Sequence, residues 1–334
     1  MRLFTDALEI VLADPGLDQL SILLASVSGP VAGRACEAIA EVAKRTDKPI
    51  HLAWSGRHAK SPEAVKALTE AGVPFLTTPV RLARAAATLA RFASDQRRLL
   101  PRRMPEVNTP KGLDLPAGAV TLNEAESKAV LQRFGIPVAR EVFVAAGADA
   151  AAAAKGLKAP FAVKIVSRDI AHKTEAGGVK LGVAPDALAE AVRAVTANAA
   201  KAVPGAKIDG VLVSEMADGI EALIGVINDE SFGPVVALGL GGVLTEVLKD
   251  VTYRIAPFDI ETAREMIADL RGAKLFDGYR GKPAGDKEAL AKALVAASQM
   301  ATALAPRLKE ADINPVFVGP HGVMAADALV VLKA

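Results

Sequence analysis

The stretch FAVKIVSRDIAHKTEAGGVKLGV, residues 161–183, decides how this chain is read. Its apolar run FAVKIV and the shorter run opening at Val179 have the length and β-branched content of strands. Between them AHKTEAGGVK, residues 171–180, sets a histidine and a lysine just ahead of a glycine pair. Lys164 interrupts the first run, and an ammonium there either turns to solvent at a sheet edge or takes an anionic partner, of which a phosphate is one. Gly177 and Gly178 either close a turn or let the backbone approach a ligand and aim amides at an anion, with Lys173 and Lys180 adding positive charge. His172 is either a packing residue or a nucleophile toward a phosphoryl group, since much of an imidazole is unprotonated at neutral pH.

Downstream, VLVSEM, EALIGVI and PVVALGL form a strand-rich run spaced for antiparallel pairing. Glu215, Met216 and Ala217 end the first of these and Glu221 opens the second, a crossing against which a nucleotide base and ribose could rest. Near the C-terminus, alternation puts Glu310, Asp312 and Asn314 on one strand face, and Asp327 lies beyond a turn at Gly319 to Gly322. An antiparallel hairpin would bring Asn314 and Asp327 together as hard oxygen ligands of the kind magnesium takes beside nucleotide phosphates. The plainer alternative is an Asn-Pro turn beside a solvated acid.

Upstream, a helix opening after Leu122 has Asn123 as its cap, Glu126 three residues on, and an apolar stripe of Ala129, Val130 and Phe134 ended by Gly135. Residues 99–118 hold four prolines and no helical period, as a linker does. The first 98 residues alternate short strands (LSILLAS, PIHLAW, PFL) with alanine-rich helical patterns, which predicts a small parallel α/β sheet. Its three strands make it narrow, as a truncated domain would be.

Composition bounds the function. The chain has 334 residues, 51% of them hydrophobic and 23% charged, enough for two or three packed domains. Forty basic against thirty-eight acidic residues leave a formal charge of +2, with no long basic run, so nucleic-acid binding has no support. The single cysteine, Cys36, excludes an internal disulfide and points to the cytoplasm. No apolar segment reaches bilayer length, so no membrane partner is expected.

Taken in order, LNEAESKAVLQRFGIPV, FAVKIVSRDIAHKTEAGGVKLGV, FGPVVALGLGGVLTEVLKDVTYRIAP, FDGYRG and EADINPVFV resemble the ATP-grasp part of the nucleoside-diphosphate-forming acyl-CoA synthetases, the group that includes succinyl-CoA synthetase and ADP-forming acetyl-CoA synthetase. The first 98 residues resemble the flavodoxin-like CoA-ligase subdomain that precedes it. The resemblance implies α/β and α+β architecture: residues 1–98 a truncated α/β subdomain, 99–118 a linker and 119–334 a two-lobed ATP-grasp domain. It implies that Lys164 meets ATP or ADP phosphates, which on the loop reading Gly177 and Gly178 would seat and Lys173 would balance, that Glu215, Met216 and Ala217 form the adenine hinge, and that Glu221 reaches the ribose or phosphate side. Asn314 and Asp327 would hold Mg2+. His172 would receive the γ-phosphoryl group, with Asp312 orienting it. Family members carry a further CoA-binding portion with a second phosphohistidine upstream, so CoA and a small-molecule carboxylate would be handled with an α-type CoA-binding subunit or missing domains, in an oligomer. The expected activity is that of an acid–thiol ligase. The rival readings are an ATP-grasp carboxylate-amine ligase without phosphohistidine and a non-catalytic nucleotide-binding remnant.

Overall fold

The computed structural model describes residues 2–25, 27, 29–55, 62–170, 173–242, 250–278, 281 and 283–333. Ala171 and His172 lie outside the described residues. The chain divides into two compact units, Met1–Arg103 and Met104–Ala334.

The first unit runs α1 (Arg2–Ala13), β1 (Leu20–Ala25), α2 (Gly29–Ala43), β2 (Ile50–Ser55), α3 (Pro62–Glu70), β3 (Phe75–Leu76) and α4 (Pro79–Leu99). Its strands pair in parallel in the order β1-β2-β3. β2 is the middle strand and is buried from Ile50 to Trp54, which is why PIHLAW shows no alternation. α4 begins where Thr78 accepts from the Arg81 amide and Pro79 supplies a preset φ. Cys36, Ile39, Leu52 and Leu68 are wholly enclosed in this unit's core.

The second unit follows with β4 (Val120–Thr121), α5 (Glu124–Arg133), β5 (Glu141–Ala145), α6 (Ala150–Ala153), β6 (Phe161–Val166), β7 (Val179–Val183), α7 (Leu188–Ala202), β8 (Gly210–Glu215), β9 (Ile220–Asp229), β10 (Gly233–Leu240), β11 (Val251–Ile255), α8 (Ile260–Ala268), α9 (Lys287–Ala303), β12 (Leu308–Gly319), β13 (Gly322–Ala325) and β14 (Leu329–Leu332). Its strands form two antiparallel sheets, the smaller in the order β5-β8-β6-β7 and the larger β11-β10-β9-β12-β14-β4, with β13 also on β12. The strand-rich run read as one antiparallel group is therefore divided: β9 and β10 pair, whereas β8 belongs to the other sheet. The chain changes sheets at Gly219, where a side chain's Cβ would stand 2.6 Å from the Val318 carbonyl oxygen.

α9 packs beneath the large sheet and is buried nearly all round, from Leu290 to Ala301, because its alanines allow close approach. In the small sheet Phe161, Val163 and Ile165 enter a core completed by α7. Strand alternation turns Lys164 to the opposite face. Lys164 is 7% exposed on a strand that has neighbours on both sides, so the solvent-edge alternative fails.

α5 also departs from its predicted stripe. Asn123 and Glu126 form the expected reciprocal cap, each amide donating to the other's side chain at 2.9 Å. Yet Ala129 is exposed and Phe134 only half-buried, while the enclosed face carries Glu124, Ser127, Lys128, Val130 and Leu131. The physical reason is that the neighbouring strands offer charged partners to this face.

Burial, then the Glu37 charge, pushes the Cys36 thiol up to about 11 from 9.0. Its thiolate fraction should fall about a hundredfold. Reaction with a disulfide reagent at pH 8 should therefore be at least about tenfold slower in the native chain than in urea, measured by the released chromophore.

Candidate functional site

Glu124 opens α5, where the helix N-terminus favours negative charge. It is 3% exposed, and its carboxylate is surrounded by ammonium groups. Oε1 accepts from Lys128 at 2.7 Å and from Lys164 at 3.1 Å, while Oε2 accepts from Lys173. Lys128, one helical turn on, also donates to Glu141 Oε2 on β5 at 2.7 Å. Lys164 donates to the Ala326 carbonyl at 2.6 Å and stands 3.8 Å from Asp327 Oδ2. Lys173 reaches Asp327 Oδ1 at 3.3 Å. The large sheet holds α5 through the Val330 amide, which donates to Ser127 Oγ at 3.1 Å. Lys164 rises from the small sheet, so the ionic network ties the two sheets together.

The charges decide each titration. Burial pushes the Glu124 carboxyl up, but Lys164, Lys128 and Lys173 outweigh it and hold the group at about 2, from an ordinary 4.5. Glu141 shifts upward because burial exceeds what Lys128 returns. Lys128 shifts upward, burial being outweighed by Glu124 and Glu141.

A cavity of about 230 Å³ opens beside this network, with Glu124, Lys173, Asp312, Asn314 and Asp327 in its wall. The register that pairs Val316 with Ala325 and Asp312 with Leu329 sets Asn314 opposite Asp327, as the hairpin reading expects. Asp327 itself lies in the unpaired gap between β13 and β14. Glu310, Asp312 and Asn314 share the exposed face of β12. The Asp312 carboxyl shifts upward through desolvation in the cavity wall, then through the charges of Asp327 and Glu310. Two oxygen-donor acids that repel one another beside an amide oxygen suit a hard divalent cation. Among the described residues no group of three His, Cys, Asp or Glu side chains is arranged to hold a metal, so phosphate or water oxygens would complete its shell.

The remaining expected site residues stand apart from this cavity. The Gly177 amide donates to Thr174 O at 3.1 Å and the Gly178 amide to Lys173 O at 2.8 Å, so both close the turn and neither is aimed at an anion. A Cβ on Gly178 would strike Ile165 Cγ1 at 2.7 Å, which makes this glycine a packing requirement. The Glu215 amide donates to Arg140 O, and its carboxylate holds the Lys158 amide at 3.0 Å and Arg140 Nη1 at 3.2 Å, so Glu215 is engaged within the small sheet. Met216 is exposed and Ala217 half-buried. Glu221 stands exposed on β9, with its backbone oxygen accepting from Gly241 at 2.7 Å. A larger hollow of about 540 Å³ between β5 and α7 is lined chiefly by alanine and valine, and its one acid, Asp149, caps α6. Chemistry therefore favours the smaller cavity.

The family model for the ATP-grasp domain matches residues 115–332. The chain belongs to the ATP-grasp domain family. It is 41% identical over 214 residues to the β subunit of ADP-forming acetate–CoA ligase I of Pyrococcus furiosus, covering 63% of this chain and 91% of that subunit. It is 32% identical to the ADP-forming 4-hydroxybutyrate–CoA ligase of Nitrosopumilus maritimus, covering 96% of this chain but 47% of that protein. The chain thus spans under half the length of this relative. Among solved structures, an acetyl-coenzyme A synthetase chain of Ca. Korarchaeum cryptofilum with coenzyme A and Ca-AMPCP superposes with a TM-score of 0.61 at 35% identity, over 64% of this chain and 94% of that one. The same enzyme with Mg-AMPPCP, its phosphohistidine segment described as pointing towards the nucleotide site, gives a TM-score of 0.54 at 31% identity, over 64% and 93%. The relatives named are acid–thiol ligases, and the resemblance read from the sequence motifs holds.

Glu124, Lys128 and Glu141 belong to the network without any local sequence pattern that singles them out. The i,i+4 pair Glu124–Lys128 is visible, but such pairs ordinarily lie on solvated faces.

Glu124 has a folded value below its unfolded one, so the stability it contributes is present above about pH 4.5 and is lost as pH falls toward about 2. That contribution is on the order of 3 kcal/mol. The opposite shift of Glu141 acts above this window. Urea unfolding should show wild type losing more stability between pH 4.5 and 2.5 than Glu124→Gln, whose curve over that range should be flatter. Gly178→Ala should cost about 1–3 kcal/mol by overpacking, read as a lowered thermal midpoint.

Proposed function

We propose that this chain is the ATP-grasp half of an ADP-forming acyl-CoA ligase, passing the γ-phosphoryl group of ATP through His172 to support acyl-CoA formation from a carboxylate and CoA. The observation that carries this reading is the convergence of Lys173, Asp312, Asn314 and Asp327 on one cavity, with Lys164 joined to it through Asp327. His172 immediately precedes Lys173 in the chain. A cavity of about 230 Å³ is below the roughly 300–1,000 Å³ of a whole-ligand pocket and suits a phosphoryl terminus with its cation. The relatives' ADP-forming names and the Mg-AMPPCP complex of the Korarchaeum enzyme support ATP with magnesium as the working pair.

In this reading Lys164 and Lys173 balance the terminal phosphates, as catalysis of phosphoryl transfer is mostly positioning and charge neutralisation. Asn314 and Asp327 would hold magnesium, which would supply further neutralisation of phosphate charge. The lone pair of one His172 nitrogen forms an N–P bond as the bond from the γ-phosphorus to its bridging oxygen breaks. ADP leaves with that electron pair. Asp312 holds the N–H of the other ring nitrogen and offsets the positive charge developing there. Met216 and Ala217 take the base side and Glu221 the ribose side. The phosphoryl group then moves to the substrate carboxylate, whose acyl phosphate yields phosphate when the CoA thiol attacks. CoA belongs to an α-type partner or to further domains.

Incubation with γ-labelled ATP and magnesium should give an acid-labile, base-stable protein label that is absent from His172→Ala, measured by filter retention and peptide mapping. Nucleotide binding without any label would favour the carboxylate-amine ligase or the non-catalytic reading.

A further inference from the structure

We infer that Glu124 is a positioning residue whose carboxylate holds Lys173, at the start of the turn 173–178 that follows His172 in the chain, against the cavity until phosphate oxygens take over the lysines. The inference rests on the reading of His172 as phosphoryl acceptor.

Glu124 is well placed to serve as a fixed post. Its helix is locked at the start by the Asn123–Glu126 cap and bound to β14 through Ser127. Its Oε1 is committed to Lys128 and Lys164, leaving Oε2 for Lys173. Residues 173–178 form a turn closed on itself by the Gly177 and Gly178 amides. That turn is fastened to the small sheet at its far end, where the Ile165 amide donates to Gly178 O at 2.9 Å. At its near end the Lys173 ammonium is fastened to Glu124 and to Asp327. Of these two anchors Glu124 is the enclosed one, whereas the Asp327 side chain is 32% exposed.

Charge also explains why the post can yield. Lys128, Lys164 and Lys173 face Glu124, Glu141 and Asp327, three cations against three anions. The network is neutral as it stands, so an entering polyphosphate must compete with carboxylates already on the lysines. Lys128 keeps Glu124 partnered when Lys164 and Lys173 turn away, which spares the protein an isolated buried charge. Losing the Glu124 charge would thus loosen the loop while making the lysines more available to phosphate.

The test uses the full chain as Glu124→Gln and, from the other side of the same contact, Lys173→Met. Hydrogen exchange at the Gly177 and Gly178 amides should be at least tenfold faster in both variants, with β8 amides unchanged. His172 labelling should slow at least tenfold in both. Mg-AMPPCP should bind Glu124→Gln as tightly as wild type or more tightly, whereas Lys173→Met should bind it more weakly. Unchanged exchange at Gly177 and Gly178 would overturn the inference, as would loss of analogue binding by Glu124→Gln in step with its labelling. If Glu124→Gln does not fold, exchange in Lys173→Met decides. A wild-type chain that takes no label refutes the acceptor reading of His172, and the exchange result still decides whether Glu124 holds the loop.

Discussion

A carboxylate enclosed by protein must have its charge answered within hydrogen-bond reach, and Glu124 has three ammonium groups there. Removing one partner of such a buried group typically costs about 3–5 kcal/mol because the remaining charge cannot return to water. The constraint fixes more than a local contact. Lys128 belongs to the same helix, Lys164 to the small sheet and Lys173 to the loop that joins two of its strands, so satisfying one carboxylate brings three elements into register. The Asp327 contacts extend the same requirement to the large sheet.

This requirement explains why α5 buries a polar face. An amphipathic helix ordinarily turns its apolar stripe inward. Here Leu131 and Val130 supply part of that contact, while Glu124, Ser127 and Lys128 supply the rest by specific pairing. Burial of a polar group is tolerable only when each donor and acceptor is used. Among the described residues no buried side-chain nitrogen or oxygen lacks a hydrogen-bond partner. A packed interior of this kind is intolerant of substitution.

Much of this architecture is legible in the sequence because it depends on local periodicity and cap chemistry. The parallel strands of the first unit, the Asn123–Glu126 cap and the shared face of Glu310, Asp312 and Asn314 follow from patterns a few residues long. The placement of Asn314 opposite Asp327 follows from hairpin register. What could not be read depends on partners distant in sequence. Lys164 is separated from Glu124 by 40 residues and from Ala326 by 162, and no local pattern tells an ammonium that will be enclosed by them from one at an open edge. The same holds for Ala129, which has the right spacing for burial and faces solvent instead. The glycine pair misleads for a related reason, since its amides bond within the turn and its lack of Cβ answers to Ile165.

The acids of the cavity carry the chemistry one step further. Asp327 is shared by Lys164 and Lys173, while Asp312, desolvated and repelled by Asp327 and Glu310, holds its proton more tightly than an ordinary aspartate. A divalent cation at Asn314 and Asp327 would relieve that repulsion and at the same time release the two lysines from Asp327. Phosphate oxygens would receive the lysines so released. Cation and anion binding are then linked through a single carboxylate: each removes a competitor of the other, and by thermodynamic reciprocity each should tighten the other to the same degree. Under the proposed function the site would accept a metal-bound polyphosphate in preference to either component alone, a selectivity that arises from the sharing of Asp327.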